Sequence, residues 1–195
     1  MNLAFLFEDK KFYKTLFKLA LPIALQNLIL SSLNLVDTII IGGLGEQAIA
    51  GVGLANQYYF LLNLILFGVA SGASIFTAQY WGNKDIKNIK RVLGICIVLS
   101  SFSAFIFAVV GFFFPRTILS IFSKDAAVIN LGGQYLKIIV FSYVVTAITF
   151  SYSFTLRSIG QVKTPMLVSV TALAVNTFLN YAMVYGYFEI GRASC

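Results

Sequence analysis

Histidine is absent from the 195 residues. That excludes imidazole acid–base catalysis and imidazole metal ligation. Charge is scarce as well: Asp, Glu, Lys and Arg make up 11% of the chain, against about 25% in an average soluble domain. The two cysteines, Cys96 and Cys195, form neither a disulfide framework nor a metal-ligand spacing; one sits inside an apolar run and the other is the last residue. No phosphate-cradling glycine loop or nucleophile motif occurs, so the sequence carries no enzyme signature and calls for no cofactor.

What the chain has in quantity is apolar length. It is 59% hydrophobic with a mean hydropathy of +0.88, and its charges cluster between long apolar runs. Runs of about 20 apolar residues cross a bilayer core. Five spans are expected, at about 16–41, 49–80, 92–114, 131–156 and 165–188, giving an all-α integral membrane protein. Gly42–Gln47 breaks the first two spans, Pro115 ends the third, and Ser158–Thr164 links the last two. The second span exceeds the bilayer thickness and calls for tilt or extension. The polar segment Gly82–Arg91 reads as a short surface helix. The stretch after Lys18 outruns a secretory signal and lacks a small-residue cleavage site. Glu189–Cys195 opens no sixth span, so the chain reads as part of a longer protein.

The net charge of +7 does not indicate nucleic acid, because the cations stand at the ends of apolar runs as topology signals do. With alternating spans, Lys10, Lys11, Lys14, Lys18, Lys84, Lys87, Lys90, Arg91, Arg157 and Lys163 share one side. Arg116, Lys124, Lys137 and Arg192 fall on the other. The majority side is the cytoplasmic one, which places the N-terminus there in a multi-pass protein of the cell membrane.

Polar residues inside spans are costly and usually face a bundle interior or a wet cavity. At about 100° per residue, Gln26, Asn27, Ser31, Asn34, Asp37 and Thr38 share an arc of about 140°. Span 2 places Asn56, Asn63 and Ser74 on one side. Span 4 carries Tyr135, Ser142, Thr146, Thr149 and Ser153, and span 5 carries Ser169, Asn176 and Asn180. These stripes either line a shared cavity or only join helices, as Ser, Thr and Asn often do. Asp37 stands apart as the acidic residue well inside a span, with no cation at its depth. Desolvation disfavours its charged form, so it can exchange a proton or bind a dehydrated cation; alternatively it is a neutral acid bonded to Asn34 or to a backbone carbonyl. Pro22 removes a helix hydrogen bond early in span 1 and favours a bend, either hinge or static. Gly68 and Gly72 form a GxxxG suited to close helix packing. Tyr80 and Trp81 suit an interfacial anchor. The phenylalanines of spans 3 and 4 read as lipid-facing or packing residues.

Four segments carry a family resemblance. LPIALQNLILSSLNLVDTIIIGGLGEQAIAGVG (Leu21–Gly53) resembles the opening of a MATE transporter, the multidrug and toxic compound extrusion family. GASIFTAQYWGNKD (Gly72–Asp85) resembles the end of that family's second span, LRSIGQVKTPM (Leu156–Met166) its span 4–5 loop, and VNTFLNYAMVYG (Val175–Gly186) its fifth span. The resemblance runs from about Leu19 to Gly186. It implies twelve spans in two pseudo-symmetric six-helix lobes that rock to export small organic, often cationic, compounds in exchange for H⁺ or Na⁺. This chain would form most of the N-terminal lobe, with the C-terminal lobe and membrane lipid as its partners. By position, Asp37 matches the family's span 1 carboxylate, Asn176 its span 5 Asn, and Pro22 the proline associated with bending. Gln26, Asn34, Asn56, Tyr135, Ser142, Thr146 and Thr149 are the expected cavity-lining residues. Asp37, Asn176 and Asn180 are the expected cation-coupling set and a candidate Na⁺ site. Asn180 stands where many members carry a second Asp; an amide cannot titrate, and the loss of that charge favours H⁺ over Na⁺. Two other functions stay open on sequence alone. One is a lipid-linked-oligosaccharide flippase of the same superfamily, disfavoured by the lack of basic residues at mid-depth. The other is a non-transporting structural subunit.

Overall fold

The computed structural model describes residues 10–42 and 45–184. These residues form seven α-helices: α1 Lys10–Gly42, α2 Glu46–Gly82, α3 Ile86–Phe113, α4 Pro115–Ser120, α5 Ala126–Ile139, α6 Tyr143–Ser158 and α7 Lys163–Val184. A 3-10 turn, Val140–Ser142, separates α5 from α6. An all-helical chain is what hydrocarbon demands, since a helix satisfies its backbone polar groups within one segment.

Local chemistry sets the breaks. Gly45 takes φ 101° ahead of α2, and Gly160 takes φ 78° after α6, both conformations that a Cβ disfavours. Pro115 begins α4 at its first position, where a missing N–H costs nothing. Asp125 caps α5 by accepting from the N–H groups of Ala127 (2.8 Å) and Val128 (3.3 Å). Asp85 caps α3, accepting from the Asn88 N–H at 3.1 Å and the Asn88 side-chain amide at 2.6 Å. These two bonds hold its carboxyl below the ordinary value.

One sequence expectation is corrected here. No separate surface helix spans Gly82–Arg91: a turn with Lys84 at φ 58° is followed by α3 from Ile86, so Lys87, Lys90 and Arg91 ride on the first turns of α3. Span 4 falls within one helical stretch, Ala126–Ser158, built from α5, the 3-10 turn and α6. At that turn the Ser142 hydroxyl donates to the Ile139 carbonyl three residues back, at 2.7 Å.

Among the described residues, four helical stretches are long and apolar enough to cross a membrane: Phe12–Ser32, Glu46–Gly82, Ile86–Phe113 and Ala126–Ser158. Four of the five expected spans are thus met among the described residues. The fifth expected span coincides with α7, which has the length, 22 residues, but several side chains in its second half and residues 185–188 lie outside the description. The 37 residues of α2 reach about 55 Å at ~1.5 Å per residue, well beyond the ~30 Å hydrocarbon core. No more than 28% of any of the four stretches is buried inside the protein. The outer faces carry Phe102, Phe105, Val98 and Phe67, all exposed. Apolar surface on this scale belongs against lipid or another membrane-embedded surface.

The chain divides into two compact units, residues 37–159 and residues 1–36 with 160–195. In the first, α2 packs on α3, α5 and α6, and α3 packs on α6. Its core joins Ala55, Tyr58, Leu62, Leu66, Ala104, Leu119, Leu136, Val140, Tyr143 and Ala147. The Tyr58 hydroxyl donates to the Phe107 carbonyl at 2.9 Å. Phe150 stacks on Phe154 at 4.6 Å, while Phe102, Phe105 and Phe113 stay exposed, so the phenylalanines divide between packing and the outer face. Trp81 is exposed at the end of α2.

The GxxxG expectation is also corrected. Among the described residues, a Cβ added at Gly68 or Gly72 would meet nothing within 4 Å. The close approach is made by Gly51 and Gly132 instead: a Cβ on Gly132 would lie 2.6 Å from the Gly51 carbonyl oxygen, and one on Gly51 2.8 Å from the Gly132 nitrogen. Here α2 and α5 touch backbone to backbone, and only glycine permits it.

Candidate functional site

The clearest candidate face lies on α6. Its buried residues Tyr143, Ala147, Ser151 and Thr155 follow the four-residue helical repeat into the core. Val145, Ile148 and Tyr152 are exposed and apolar. Thr146, Thr149 and Ser153 form a third face, about 150° from the buried one and about 100° from the apolar one at ~100° per residue. Ser142 precedes it in the same register. Thr149 and Ser142 are exposed, and Thr146 and Ser153 half-buried. The Thr146 hydroxyl donates to the Ser142 carbonyl (2.9 Å) and the Thr149 hydroxyl to the Val145 carbonyl (3.0 Å). Each hydroxyl thus satisfies its hydrogen within its own helix and keeps oxygen lone pairs for an outside donor. The face is suited to accept hydrogen bonds and to attract positive charge weakly.

The remaining expected lining residues are placed less uniformly. Asn56 is exposed on the flank of α2, about 90° from its buried face. Asn63 and Ser74, on the same flank, bond back to the Tyr59 and Ala70 carbonyls. Tyr135 is half-buried and packs against the core of its unit. Asn176 is half-buried in α7. Asn34, Asp37 and Asn180 have helical backbones in α1 and α7, and their side chains lie outside the described residues. Pro22 is inside α1.

Gln26 is the best-defined polar contact in its unit. It is buried, and its side-chain amide donates to the Ser169 hydroxyl at 2.8 Å and the Pro165 carbonyl at 3.2 Å. Ser169 in turn donates to Pro165 at 3.0 Å. Gln26 therefore ties α1 to the first turns of α7. Deleting a buried bonded group of this kind costs about 1–3 kcal/mol. In the full-length protein Gln26→Ala is expected to lower the unfolding temperature measurably, read by thermal unfolding in detergent. An unchanged Tm with lost transport would instead make Gln26 a substrate contact.

Sequence reasoning missed one cluster. Arg116 and Lys137, read as topology charges, line a common cavity of about 500 Å³. The available signal was their position at adjoining span ends together with amide neighbours Asn130 and Gln134.

Several apolar helices of membrane-crossing length, with a small packed core within residues 37–159, define a multi-pass helical membrane protein. The MatE family model matches residues 22–182, and the chain belongs to that family. It is similar to the probable multidrug resistance protein NorM of Thermotoga maritima, 28% identical over 93% of this chain and 39% of that protein. It is also similar to the probable multidrug resistance protein YoeA of Bacillus subtilis, 29% identical over 86% of this chain and 36% of that protein, and to the multidrug resistance protein NorM of Burkholderia vietnamiensis, 27% identical over 90% and 38% respectively. The chain thus spans less than two fifths of the length of these relatives.

Proposed function

We propose that this chain supplies most of the N-terminal lobe of a cell-membrane exporter of small organic, cationic compounds. The exporter works by alternating access and is driven by inward flow of H⁺ or Na⁺. The N-terminus lies in the cytoplasm on the charge asymmetry of the loops. The observation that carries the reading is the third face of α6: a polar strip kept off the core and off the apolar flank, its hydroxyl oxygens still able to accept from an outside donor, suits water or a polar ligand opposite it. Family membership and the names of the relatives support multidrug efflux. In this scheme Asp37 binds the coupling ion. That binding drives transport only through unequal affinity for the two states of the transporter.

Cysteine accessibility in the full-length protein tests the cavity. Single cysteines at positions 142, 146 and 149 are expected to react with a water-soluble thiol reagent about tenfold or more faster than cysteines at 145 and 152, because the reactive thiolate is disfavoured in apolar surroundings. Equal protection of both sets would leave the strip as a helix-joining surface and remove the support for a cavity on α6.

A further inference from the structure

The cavity around Arg116 lies by the end of the apolar stretch of α3 at Phe113 and the first turns of that of α5 and α6, which begins at Ala126. Arg116, Lys137, Thr117, Asn130 and Gln134 contribute its polar lining, and among the described residues no carboxylate lines it. The Arg116 guanidinium donates to the Asn130 side-chain oxygen at 3.2 Å. That bond orients the guanidinium and uses one of its five N–H donors. A second cavity, of about 580 Å³, adjoins on the other side of Arg116. Phe113 and Phe114, also in the lining, are 68% and 60% exposed, and Ile138, next to Lys137, is 74% exposed.

We propose that this cavity binds the phosphate headgroup of an anionic phospholipid. Arg116 and Lys137 hold the phosphate oxygens, and the exposed apolar lip lies along the acyl chains. Two cations facing one cavity with no counter-charge among the described residues favour an anion, and the planar guanidinium fork matches phosphate geometry. The amide hydrogens of Asn130 and Gln134 supply further donors to the same oxygens. The exposed phenylalanines decide the source: a free phosphate has no use for them, whereas a lipid brings chains that cover them.

The test uses the full-length protein in detergent, with native mass spectrometry and thermal unfolding after addition of phosphatidylglycerol, phosphatidylcholine or glycerol phosphate. The wild type is expected to retain phosphatidylglycerol in preference to phosphatidylcholine and to ignore glycerol phosphate. Each lost cation weakens attraction to an anionic lipid roughly fivefold, so R116Q/K137Q is expected to bind phosphatidylglycerol about 25-fold more weakly. The charge-keeping R116K/K137R keeps most of the binding and guards against a fold defect, and K124Q/K163Q matches the wild type. Equal phosphatidylglycerol binding by R116Q/K137Q and K124Q/K163Q overturns the site. Stabilisation by glycerol phosphate as strong as by the lipid makes it a soluble-anion site and overturns the lipid assignment.

Discussion

Replacing Asp37 by Asn in the full-length protein is expected to abolish efflux, to the level of cells carrying no transporter, while leaving expression and membrane insertion intact. The substitution keeps the size and shape of the side chain and removes only its ability to gain and lose a proton or to offer a negative charge. Since the chain has seven acidic residues in all and only Asp37 sits well inside an expected span, no neighbouring carboxylate of this chain can substitute. An amide of equal shape adds no charge to bury, so insertion is not penalised. Drug accumulation in whole cells reads the effect, and full efflux by the variant would refute the assignment. The same preparation identifies the ion. Transport into vesicles is expected under a pH gradient in Na⁺-free buffer, where one pH unit supplies about 1.4 kcal/mol. It should be absent under a Na⁺ gradient at uniform pH, because Asn180 withholds the second charge that would offset Na⁺ dehydration. Transport driven by Na⁺ alone would reverse the choice. Asn180→Asp is then expected to raise any Na⁺ dependence.

Helix ends marked by punctuating residues were legible in the sequence. The break at Gly42–Gln47, the stop before Pro115 and the link at Ser158–Thr164 all depend on glycine or proline acting within a few residues. The interruption between α5 and α6 was not legible, because no glycine or proline occurs from Leu136 to Ser151; it follows from a 3-10 turn in which Ser142 bonds three residues back. Of the polar stripes, that of α6 was readable because its spacing keeps it on one exposed face. Gln26 lay on a stripe too, yet its amide is spent on Ser169 and Pro165. Periodicity reports which side of a helix a residue occupies and is silent on what stands opposite. The same limit hid the cavity at Arg116 and Lys137. Charge at a span end is needed for topology, and its second use appears only once α3, α4 and α5 are brought together.

Glycine shows that limit most sharply, and it carries the largest expected effect on stability. GxxxG at Gly68 and Gly72 is the stronger pattern in sequence, whereas the tight contact is Gly51, in the weaker small-xxx-small pair Gly51 and Ala55, against Gly132, 81 positions away. Gly132→Ala would place a methyl 2.6 Å from a backbone oxygen and 3.1 Å from the Gly51 Cα. Neither atom is the end of a flexible side chain, so α2 and α5 must separate. Overpacking of a well-packed contact costs about 1–3 kcal/mol, and Gly132→Val, with two further carbons, is expected to prevent folding of the unit altogether. Gly68→Ala and Gly72→Ala meet no atom of the described residues within 4 Å and are expected to leave stability unchanged or slightly raised, since alanine is the better helix former. Thermal unfolding of the full-length variants, followed by size-exclusion of the surviving fraction, reads all four. Gly51→Ala and Gly132→Ala act on the same contact, so their costs should not add. Once one methyl has parted the helices, the second enters a gap already open, and the double variant is expected to lose clearly less than the sum of the single losses. Simple additivity, or a Gly132→Ala protein as stable as the wild type, would mean that α2 and α5 do not meet at these glycines.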